Sequence, residues 1–398
     1  MTTTSFAIAD DRDRAVLGDL LAHAFGFPVA DADTWFTRAG HDNVLVHRDG
    51  SGLVGGMILV SMGQFFGGGS VPMIGLAGVG VAPERRGTGV GAAMMVAALR
   101  EMRRRGAAIS TLFPSTVPFY QGAGYERAGV RFHFRIPAAD LAHAGRGAHG
   151  GAHGGDRVEP RPVDPDPELA AVQRTFAARH HGSLDRGPYV WQRMVRPWRA
   201  EPRAFAVRRG DLLVGHVVVV HKMADGHDTV VQVVDASAAD AGAARAIFAF
   251  LGGYRSLAGE IDWQLHVPGI FQALLPDRRP DVQLQDFWML RVLDPTRALV
   301  TRGWSRAVRG TVELAYDDDV LPECSGRFTL RVDEGRATVT EGGSGAVRIG
   351  ARGLGALFAG FTSCSELALR GLADGRAAAI ETLDALFSGP MPTMNEMF

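Results

Sequence analysis

The residues that most clearly suggest chemistry form a glycine-rich turn between a predicted strand and a predicted helix. From Val79 to Ala92 the chain reads Val-Gly-Val-Ala-Pro-Glu-Arg-Arg-Gly-Thr-Gly-Val-Gly-Ala. Glycines around a helix start let a ligand approach the backbone closely and leave the amide N–H groups free. Together with the helix dipole these donors favour a pyrophosphate group, and Arg86, with Arg85 beside it, adds positive charge at the rim. The turn therefore predicts a binding site for a phosphate-containing cofactor.

Two widespread nucleotide-binding motifs do not fit this turn. The glycine spacing from Gly87 to Gly91 departs from G-x-G-x-x-G, and no acidic residue lies about 20 positions further on to hold a ribose. A Walker loop is excluded because no Gly-Lys-Ser/Thr follows. What fits is Arg86-x-x-Gly89-x-Gly91 directly after a Val-x-Val-x-Pro strand end, which resembles the acyl-CoA motif of the GNAT acetyltransferases. The alternative is an ordinary strand–turn–helix with incidental glycines.

The GNAT resemblance implies how acetyl-CoA would be held. In that family the strand before the turn is bulged and splayed from its neighbour, and its exposed backbone pairs with the pantetheine arm of the cofactor. Gly78 and Gly80 would ease such a bulge, and the amides from Gly87 to Gly91 would meet the pyrophosphate. The cofactor-binding residues that the resemblance implies are Val79, Gly80, Val81, Arg86, Gly87, Thr88, Gly89, Val90, Gly91, Ala92, Ser115 and Thr116.

A second segment narrows the resemblance and supplies a candidate acid. It runs from Ser115 to Tyr125 as Ser-Thr-Val-Pro-Phe-Tyr-Gln-Gly-Ala-Gly-Tyr. With the layout and the ending of the chain, it resembles the enhanced intracellular survival (Eis) branch of the GNAT proteins. The resemblance implies that Tyr120 is the general acid that protonates the departing CoA thiolate, and a phenol with a pKa of about 10 suits that task. Ser115 and Thr116 would contact the cofactor near the thioester. The alternative for Tyr120 is a core aromatic, the role we expect for Tyr125.

The last residue is the second candidate catalytic group. The Eis resemblance implies that the free C-terminal carboxylate, here that of Phe398, is the general base. The ending Pro-Met-Pro-Thr-Met-Asn-Glu-Met-Phe fits an anchored tail, because two prolines stiffen it and Met391, Met394, Met397 and Phe398 can pack in a pocket. An α-carboxyl has a pKa of about 3.3–3.7, so burial would be needed to raise its basicity. The alternative is a tail that only packs on the surface.

The acceptor substrate is the least specified part of the prediction. Members of the Eis branch acetylate aminoglycosides and other cationic amines in an acidic pocket, and part of that pocket comes from an early segment of the chain. The matching residues here are Asp31, Asp33, Trp35 and Phe36, although either aspartate could instead cap the helix that contains Trp35. The family also places an acid directly before the terminal Phe, whereas here Met397 stands there and Glu396 precedes it. Two alternatives stay open: a protein lysine acetyltransferase, or a lipid- or ligand-binding protein with a vestigial GNAT half.

The predicted elements repeat a hairpin, strand, helix, strand order and then change to short strands followed by helices. The expected fold is α+β: tandem GNAT domains, each with a mixed, mostly antiparallel sheet and flanking helices, then a sterol-carrier-protein-like α+β domain. The second GNAT domain is expected to be degenerate and structural, because acids Asp235 and Asp240 stand where a pyrophosphate would bind. The expected boundaries are 1–141 for the catalytic domain, 142–167 for a flexible Gly/His/Pro-rich linker, 168–288 for the degenerate domain and 289–398 for the last domain, which ends in the active site.

Composition excludes several classes of protein. The 398 residues carry 42 basic and 43 acidic side chains, a formal net charge of −1, which argues against a nucleic-acid binder or a polybasic membrane adaptor. Two cysteines are too few for a disulfide scaffold, and His143, His149 and His153 lack supporting ligands, so no metal is expected. Asp10 and Asp11 interrupt any signal-peptide core, and no apolar stretch approaches a membrane span, which predicts a cytoplasmic protein without a membrane partner. The Eis resemblance implies a homohexamer built from trimers.

Overall fold

The computed structural model describes residues 5–50, 52–146, 156–197, 200–223, 229–275 and 280–398. The chain divides into two compact units that are each discontinuous in sequence. The first unit contains Met1–Ala128, Trp288–Gly389 and Phe398, and the second contains Gly129–Phe287 and Pro390–Met397. Each unit is described by itself below.

The strands and helices alternate along most of the chain. The strands are β1 Ser5–Ile8, β2 Val44–Asp49, β3 Gly52–Phe66, β4 Gly69–Val81, β5 Ile109–Leu112, β6 Glu126–Pro137, β7 Arg157–Arg161, β8 Leu184–Asp185, β9 Arg203–Arg209, β10 Leu212–Met223, β11 Thr229–Ala238, β12 Ala258–Leu265, β13 Asp281–Val292, β14 Gly310–Asp317, β15 Gly326–Asp333, β16 Arg336–Glu341, β17 Val347–Gly350 and β18 Ala373–Gly375. The α-helices are α1 Asp11–Phe25, α2 Ala30–Ala39, α3 Val90–Arg104, α4 Val117–Gly122, α5 Ala138–Arg146, α6 Pro167–Ala177, α7 Pro188–Val195, α8 Ala241–Gly252, α9 Ile270–Ala273, α10 Pro295–Thr301, α11 Ala351–Ala359, α12 Cys364–Leu369 and α13 Ala377–Phe387.

The first unit contains the N-terminal sheet, whose strands follow the order β1-β2-β3-β4-β5-β13. Neighbouring strands are antiparallel except for β4 and β5, which run parallel. Helix α3 packs on one face of this sheet, because its apolar side chains recur at helical spacing and so form one apolar face of the helix. The buried residues of that face include Met94, Ala98, Leu99 and Met102. Their packing against Tyr125 and the strands forms the core that fixes both ends of α3.

A second sheet in the first unit has the order β16-β15-β14-β17-β18, with β14 and β17 parallel and the other pairs antiparallel. The backbone after α10 lies directly against the β3–β4 hairpin, since a Cβ added at Gly67 would lie 2.1 Å from the carbonyl oxygen of Gly303. The Gly303 amide donates to Phe66 O at 2.9 Å. The third predicted domain therefore shares one compact unit with the first.

The second unit contains a sheet in the order β6-β12-β11-β10-β9-β7. Strands β11 and β12 are parallel, and the other pairs are antiparallel. Helices α5 and α8 pack on it around a core that contains Val217, Ile247, Leu251 and Trp263. Hairpin, strand, helix and strand thus follow one another in both units, which is the repetition that the sequence predicts.

Regular secondary structure extends into both ends of the predicted linker over 142–167. Helix α5 extends to Arg146, and β7 at Arg157–Arg161 pairs with β9. A Cβ at Gly145 would lie 2.6 Å from the backbone nitrogen of Ala249, so this glycine permits close packing of α5 against α8. His143 accordingly lies on a helix. His149 and His153 lie outside the described residues.

No single helix in the described part of the chain is both long and apolar enough to cross a membrane. Helices α1 and α2 reach the required length and apolar composition only when they are taken together. The two helices are bent by 109° relative to each other at the short connection between them.

Candidate active site

The split between β4 and β5 is the central feature of the site. Across the described residues, β4 pairs with β5 only from Met73 to Gly75, whose partners are Ile109 to Thr111. Beyond that point β4 continues to Val81 without β5 beside it. The backbone of residues 76–81 therefore presents one edge that a ligand can pair with.

Strand β4 also carries a bulge of the kind that the GNAT resemblance implies. Its register with β3 shifts between Gly56, which faces Gly80, and Ile58, which faces Ala77. Gly78 and Val79 thus face the single residue Met57, and Gly78, whose φ of 55° favours glycine, accommodates the one extra residue on β4. A Cβ at Gly80 would lie 2.4 Å from Leu20 Cδ2, so this second glycine lets α1 pack on the bulged strand.

The turn after β4 leaves the start of α3 open. Gly87 and Gly89 have φ values of 76° and 87°, and Gly89 is the N-cap residue without any side-chain capping bond. By contrast, Asp10 and Asp240 cap the N-termini of α1 and α8 with their carboxylates. The first amides of α3 are therefore available to an anionic group, as the pyrophosphate prediction requires.

The charged and hydroxyl side chains of the turn each have a different partner. Arg86 is exposed, and its Nε donates to Val81 O at 3.3 Å, which keeps its head beside the end of β4. Arg85 instead forms an ion pair with Asp49, so it is a less available phosphate ligand than Arg86. Thr88 Oγ1 donates to Arg85 O at 2.7 Å and shapes the turn.

Helix α4 brings Tyr120 to the start of α3. A Cβ at Gly91 would lie 3.0 Å from Phe119 Cε2, so the α4 aromatic next to Tyr120 packs directly on the first turn of α3. Tyr120 is 5% exposed, and its ring meets Tyr125 edge-on at a centroid distance of 6.2 Å. Ser115 and Thr116, which precede α4, are both exposed.

The two tyrosines differ in what their hydroxyl groups do. Burial raises the pKa of Tyr120 above its usual value, and a hydrogen bond with Ser115 opposes the shift. Tyr125 is fully buried, donates to Ser110 Oγ at 2.8 Å and also has a raised pKa because of its burial. Tyr125 is therefore the core aromatic, as predicted, while Tyr120 holds its proton at neutral pH beside exposed Ser115.

Phe398 lies at the split between β4 and β5. A Cβ at Gly75 would lie 2.5 Å from Phe398 Cε2, so the ring covers the last residue of β4 that pairs with β5. The ring of Phe113, just after β5, lies 6.0 Å from it between centroids. Phe398 is 7% exposed. The first unit thus contains the last residue of the chain as well as Tyr120 and the glycine turn.

The four predicted substrate residues fall in different environments. Trp35 contacts the bulge, because a Cβ at Gly78 would lie 3.1 Å from its Cη2 atom. Phe36 is 1% exposed and is a core residue, so the structure does not bring it to a pocket surface. Asp31 and Asp33 lie in the first turn of α2, whose N-cap is Val29, so neither aspartate is the cap that the sequence allowed.

Sequence reasoning missed a buried ion pair that supports the turn after Tyr120. Arg291 is completely buried, and its Nη2 donates to both carboxylate oxygens of Asp318 at 2.8 Å. Gly124 has a φ of 83°, and a Cβ there would lie 1.6 Å from Arg291 Nη1. The Arg291 guanidinium thus occupies the space that a side chain at position 124 would need. The glycine before Tyr125 was the one available signal, and it does not reveal its distant partner.

A second missed contact also holds the C-terminal end of α4. Glu126, which is buried, accepts from Gln121 Nε2 at 3.2 Å and from Arg352 Nη2 at 2.6 Å. Arg352 lies on α11, so a helix from the third predicted domain fixes the chain on which Tyr120 is placed. Both contacts lie within the first unit.

Three segments of the chain match known protein families. Residues 9–128 and residues 182–292 each match a family described as an acetyltransferase (GNAT) domain, and residues 295–395 match the sterol carrier protein domain. These matches confirm the predicted order of two GNAT domains and a sterol-carrier-like domain.

Whole-chain relatives point the same way. The chain is 26% identical over 375 residues to the N-acetyltransferase Eis of Mycobacterium tuberculosis (strain ATCC 25177 / H37Ra), and the match covers 91% of this chain and 90% of the relative. The protein of the same name from Mycobacterium bovis (strain BCG / Pasteur 1173P2) matches with the same identity and coverage.

Solved structures extend the likeness to the full length of the chain. A GCN5-related N-acetyltransferase from Anabaena variabilis superposes with a TM-score of 0.93 at 27% identity, with all of both chains covered. A GCN5-related N-acetyltransferase from Kribbella flavida has a TM-score of 0.84 at 28% identity and covers 100% of this chain and 99% of its own. Eis1 from Mycobacterium abscessus shares the fold, with a TM-score of 0.78 at 22% identity over all of both chains.

Proposed function

The chain is a GNAT acetyltransferase of the enhanced intracellular survival (Eis) family, and from that premise we propose that it transfers the acetyl group of acetyl-CoA directly to aminoglycoside-like or other polycationic amines. The observation that carries this proposal is the position of Phe398 at the split between β4 and β5, in the same unit as buried, protonated Tyr120. The proposed general base is the α-carboxylate of this residue.

The cosubstrate acetyl-CoA fits the open features of the first unit. The uncapped start of α3, with the amides of Gly87 to Gly91, suits the pyrophosphate, and Arg86 adds positive charge beside it. The free edge of Val79–Val81 suits the amide groups of the pantetheine arm. Ser115 and Thr116 are exposed just before α4, where they can contact the thioester end. Acetyl-CoA supplies an activated acetyl group with a thiolate leaving group.

In the proposed reaction the chain moves two protons. The Phe398 carboxylate takes a proton from the attacking ammonium nitrogen, so that its lone pair can form the new C–N bond. As the C–S bond breaks, Tyr120 donates its phenolic proton to the CoA sulfur, which gives the free thiol. The second proton that the nitrogen loses passes to the Tyr120 phenolate through solvent and restores the phenol, and the proton on the Phe398 carboxylate is released to solvent. Backbone amides near Val81 are suited to stabilise negative charge on the carbonyl oxygen during the attack. The acetylated amine and CoA are the two products.

Trp35 is the best supported of the proposed acceptor residues, because it contacts the β4 bulge. An indole face can hold an amine substrate by cation–π attraction. The Asp31 and Asp33 carboxylates in the first turn of α2 would add negative charge nearby along the chain. Phe36 would act only from the core, where its ring packs near Gly18 of α1.

The activity is tested by measuring CoA thiol release with a panel of aminoglycosides, linear polyamines and lysine-containing peptides. We expect turnover with polycationic amines and little with peptides. Turnover with peptides alone would favour protein lysine acetylation. Failure to release CoA with every amine, together with tight binding of a lipid, would overturn the enzyme proposal in favour of a binding protein.

The assembly and location belong to the same proposal. We expect a homohexamer, which light scattering after gel filtration would detect as six times the 42.5-kDa mass of the chain. We expect the protein in the cytoplasm, where cell fractionation would find it. A monomer in solution would contradict the first expectation, and recovery of the protein only outside the cytoplasm would contradict the second.

A further inference from the structure

The residues just before Phe398 are held by the second unit through the backbone. Val130 N donates to Pro392 O at 3.1 Å, and Met394 N donates to Val130 O at 3.2 Å, so this part of the tail forms a parallel bridge with β6. Thr393 N donates to His181 O at 2.8 Å. Backbone bonds of this kind fix the path of the tail but do not depend on its sequence.

Two side-chain contacts add sequence specificity. Thr393 Oγ1 lies 2.8 Å from His266 Nδ1, and the His266 ring stacks on His180 at a centroid distance of 4.0 Å. Glu396 Oε1 accepts from Arg186 Nε at 3.1 Å and from Arg186 Nη2 at 3.0 Å. Of the two, the charged contact with Glu396 is nearer to the end of the chain.

Arg186 also makes contacts that do not involve the tail. Its Nη1 and Nη2 donate to the two oxygens of Asp235 at 2.7 Å, and Asp235 also contacts His216 Nε2 at 2.9 Å. The face of the guanidinium lies 4.8 Å from the Trp191 ring centroid. The side chain of Arg186 is 4% exposed and that of Glu396 is 6% exposed, so the two carboxylates share one buried cation.

The burial of these charges makes the contact selective for the tail. A buried arginine with one carboxylate partner is already neutralised, and a second carboxylate enters only if its hydrogen bonds replace its lost hydration. Glu396 accepts two such bonds from a planar, fixed donor.

The start of α8 in the same unit is not open to a cofactor. Asp240 caps α8 and pairs with Arg209, so the helix start that would hold a pyrophosphate is already occupied.

We propose that Arg186 is a positioning residue: by binding Glu396 it holds the tail, and through the tail it limits the movement of Phe398, two residues further along the chain. The degenerate GNAT domain then has a task of its own, which is to dock the tail. The restraint on Phe398 is argued from the docking of the tail, whereas its effect on turnover rests on the proposed function.

Three full-length variants separate the tail contact from the rest of the fold. Glu396→Ala removes the anchor while Arg186 keeps Asp235 as its partner. Arg186→Met removes the cation and leaves two buried carboxylates facing each other, so it should release the tail further. The matched control is Arg174→Met, because Arg174 also forms a two-fold hydrogen-bonded pair, with Asp185 at 2.9 and 2.8 Å, but on an exposed surface. Thermal unfolding checks that each variant is folded.

The release of free phenylalanine by carboxypeptidase A reports how often Phe398 leaves its seat. We expect Glu396→Ala to speed release of the first phenylalanine at least about tenfold and Arg174→Met to leave the rate unchanged. In the same variants, kcat for CoA release should fall by a similar factor with Glu396→Ala, while KM for acetyl-CoA stays within about twofold. A lower kcat with a nearly unchanged KM would not follow from a general loss of fold.

Two results would overturn the proposal. An unchanged release rate in Glu396→Ala and in folded Arg186→Met would show that this contact does not seat Phe398. Faster release with unchanged kcat would show that the seat has no effect on turnover. Absence of turnover in the unaltered protein would count against the proposed function instead, and the release rates would still decide whether Arg186 holds the tail.

Discussion

At the scale of single residues, Tyr120 and Tyr125 show how similar side chains are given different tasks. Tyr125 is sealed in the core with Ser110, whereas Tyr120 lies at the edge of the core with Ser115 beside it. Burial raises the pKa of Tyr120, which keeps it a proton donor across the physiological range. A donor that loses its proton only at high pH suits the protonation of a thiolate.

We expect Tyr120→Phe to lower kcat by about 10²–10⁴-fold, the usual contribution of a general acid, with little change in KM for acetyl-CoA. Because burial raises the pKa of Tyr120, the unaltered protein should lose kcat only as the pH rises through a Tyr120 pKa that lies above that of a free tyrosine. A series of kcat measurements from pH 6 to pH 11 checks both points.

Tyr125→Phe is the matched control, because it removes a hydroxyl from the same core but not from the proposed proton path. Loss of its bond to Ser110 should lower the free energy of unfolding by about 1 kcal/mol and leave kcat near that of the unaltered protein. Equal kcat losses in the two variants would count against a special role for Tyr120.

At the scale of elements, the start of α3 links local sequence to cofactor binding most directly. Gly89 has a φ of 87° with no atom within 4 Å of a Cβ built on it, so the backbone conformation and not space requires glycine. A side chain there would strain the turn and shift the amides that the pyrophosphate is proposed to meet.

We expect Gly89→Ala to lower the free energy of unfolding by about 1–2 kcal/mol and to weaken acetyl-CoA binding at least about tenfold, as measured by calorimetry. Gly326→Ala is the control, since that glycine lies in β15 with nothing within 4 Å and without a positive φ. Retention of acetyl-CoA affinity in Gly89→Ala would argue against this turn as the phosphate site.

Local patterns predicted the elements near the site well, and distant contacts explain where they failed. The helix after Gly89 depends on neighbours in sequence, so its apolar spacing predicts it, whereas the bulge at Gly78 is what the GNAT resemblance implies. The glycines after 142 were interpreted as flexible, yet Gly145 serves packing against Ala249, about a hundred positions away. No local rule distinguishes a glycine that bends freely from one that allows two helices to touch.

At the scale of the whole molecule, domains in sequence and compact units do not coincide. The first unit combines the N-terminal GNAT segment with the C-terminal segment, through contacts such as Arg291 with Gly124 and Arg352 with Glu126. The second unit contains the tail up to Met397, while Phe398 belongs to the first. The tail's anchor, Glu396, is 210 positions from Arg186, and so the sequence predicted an anchored tail without predicting its partner. Of the expected anchors, Met394 is buried and Met397 is exposed.

The most direct test of the account moves or removes the terminal carboxylate. One variant adds a single glycine after Phe398, which keeps the ring and displaces the carboxylate, and a second lacks Phe398. A variant with one extra glycine at the N-terminus is the control. We predict that kcat for CoA release falls by about 10²–10⁴-fold in both C-terminal variants, while acetyl-CoA still binds with nearly unchanged affinity. If both variants kept the kcat of the control, the carboxylate of Phe398 would not be the general base.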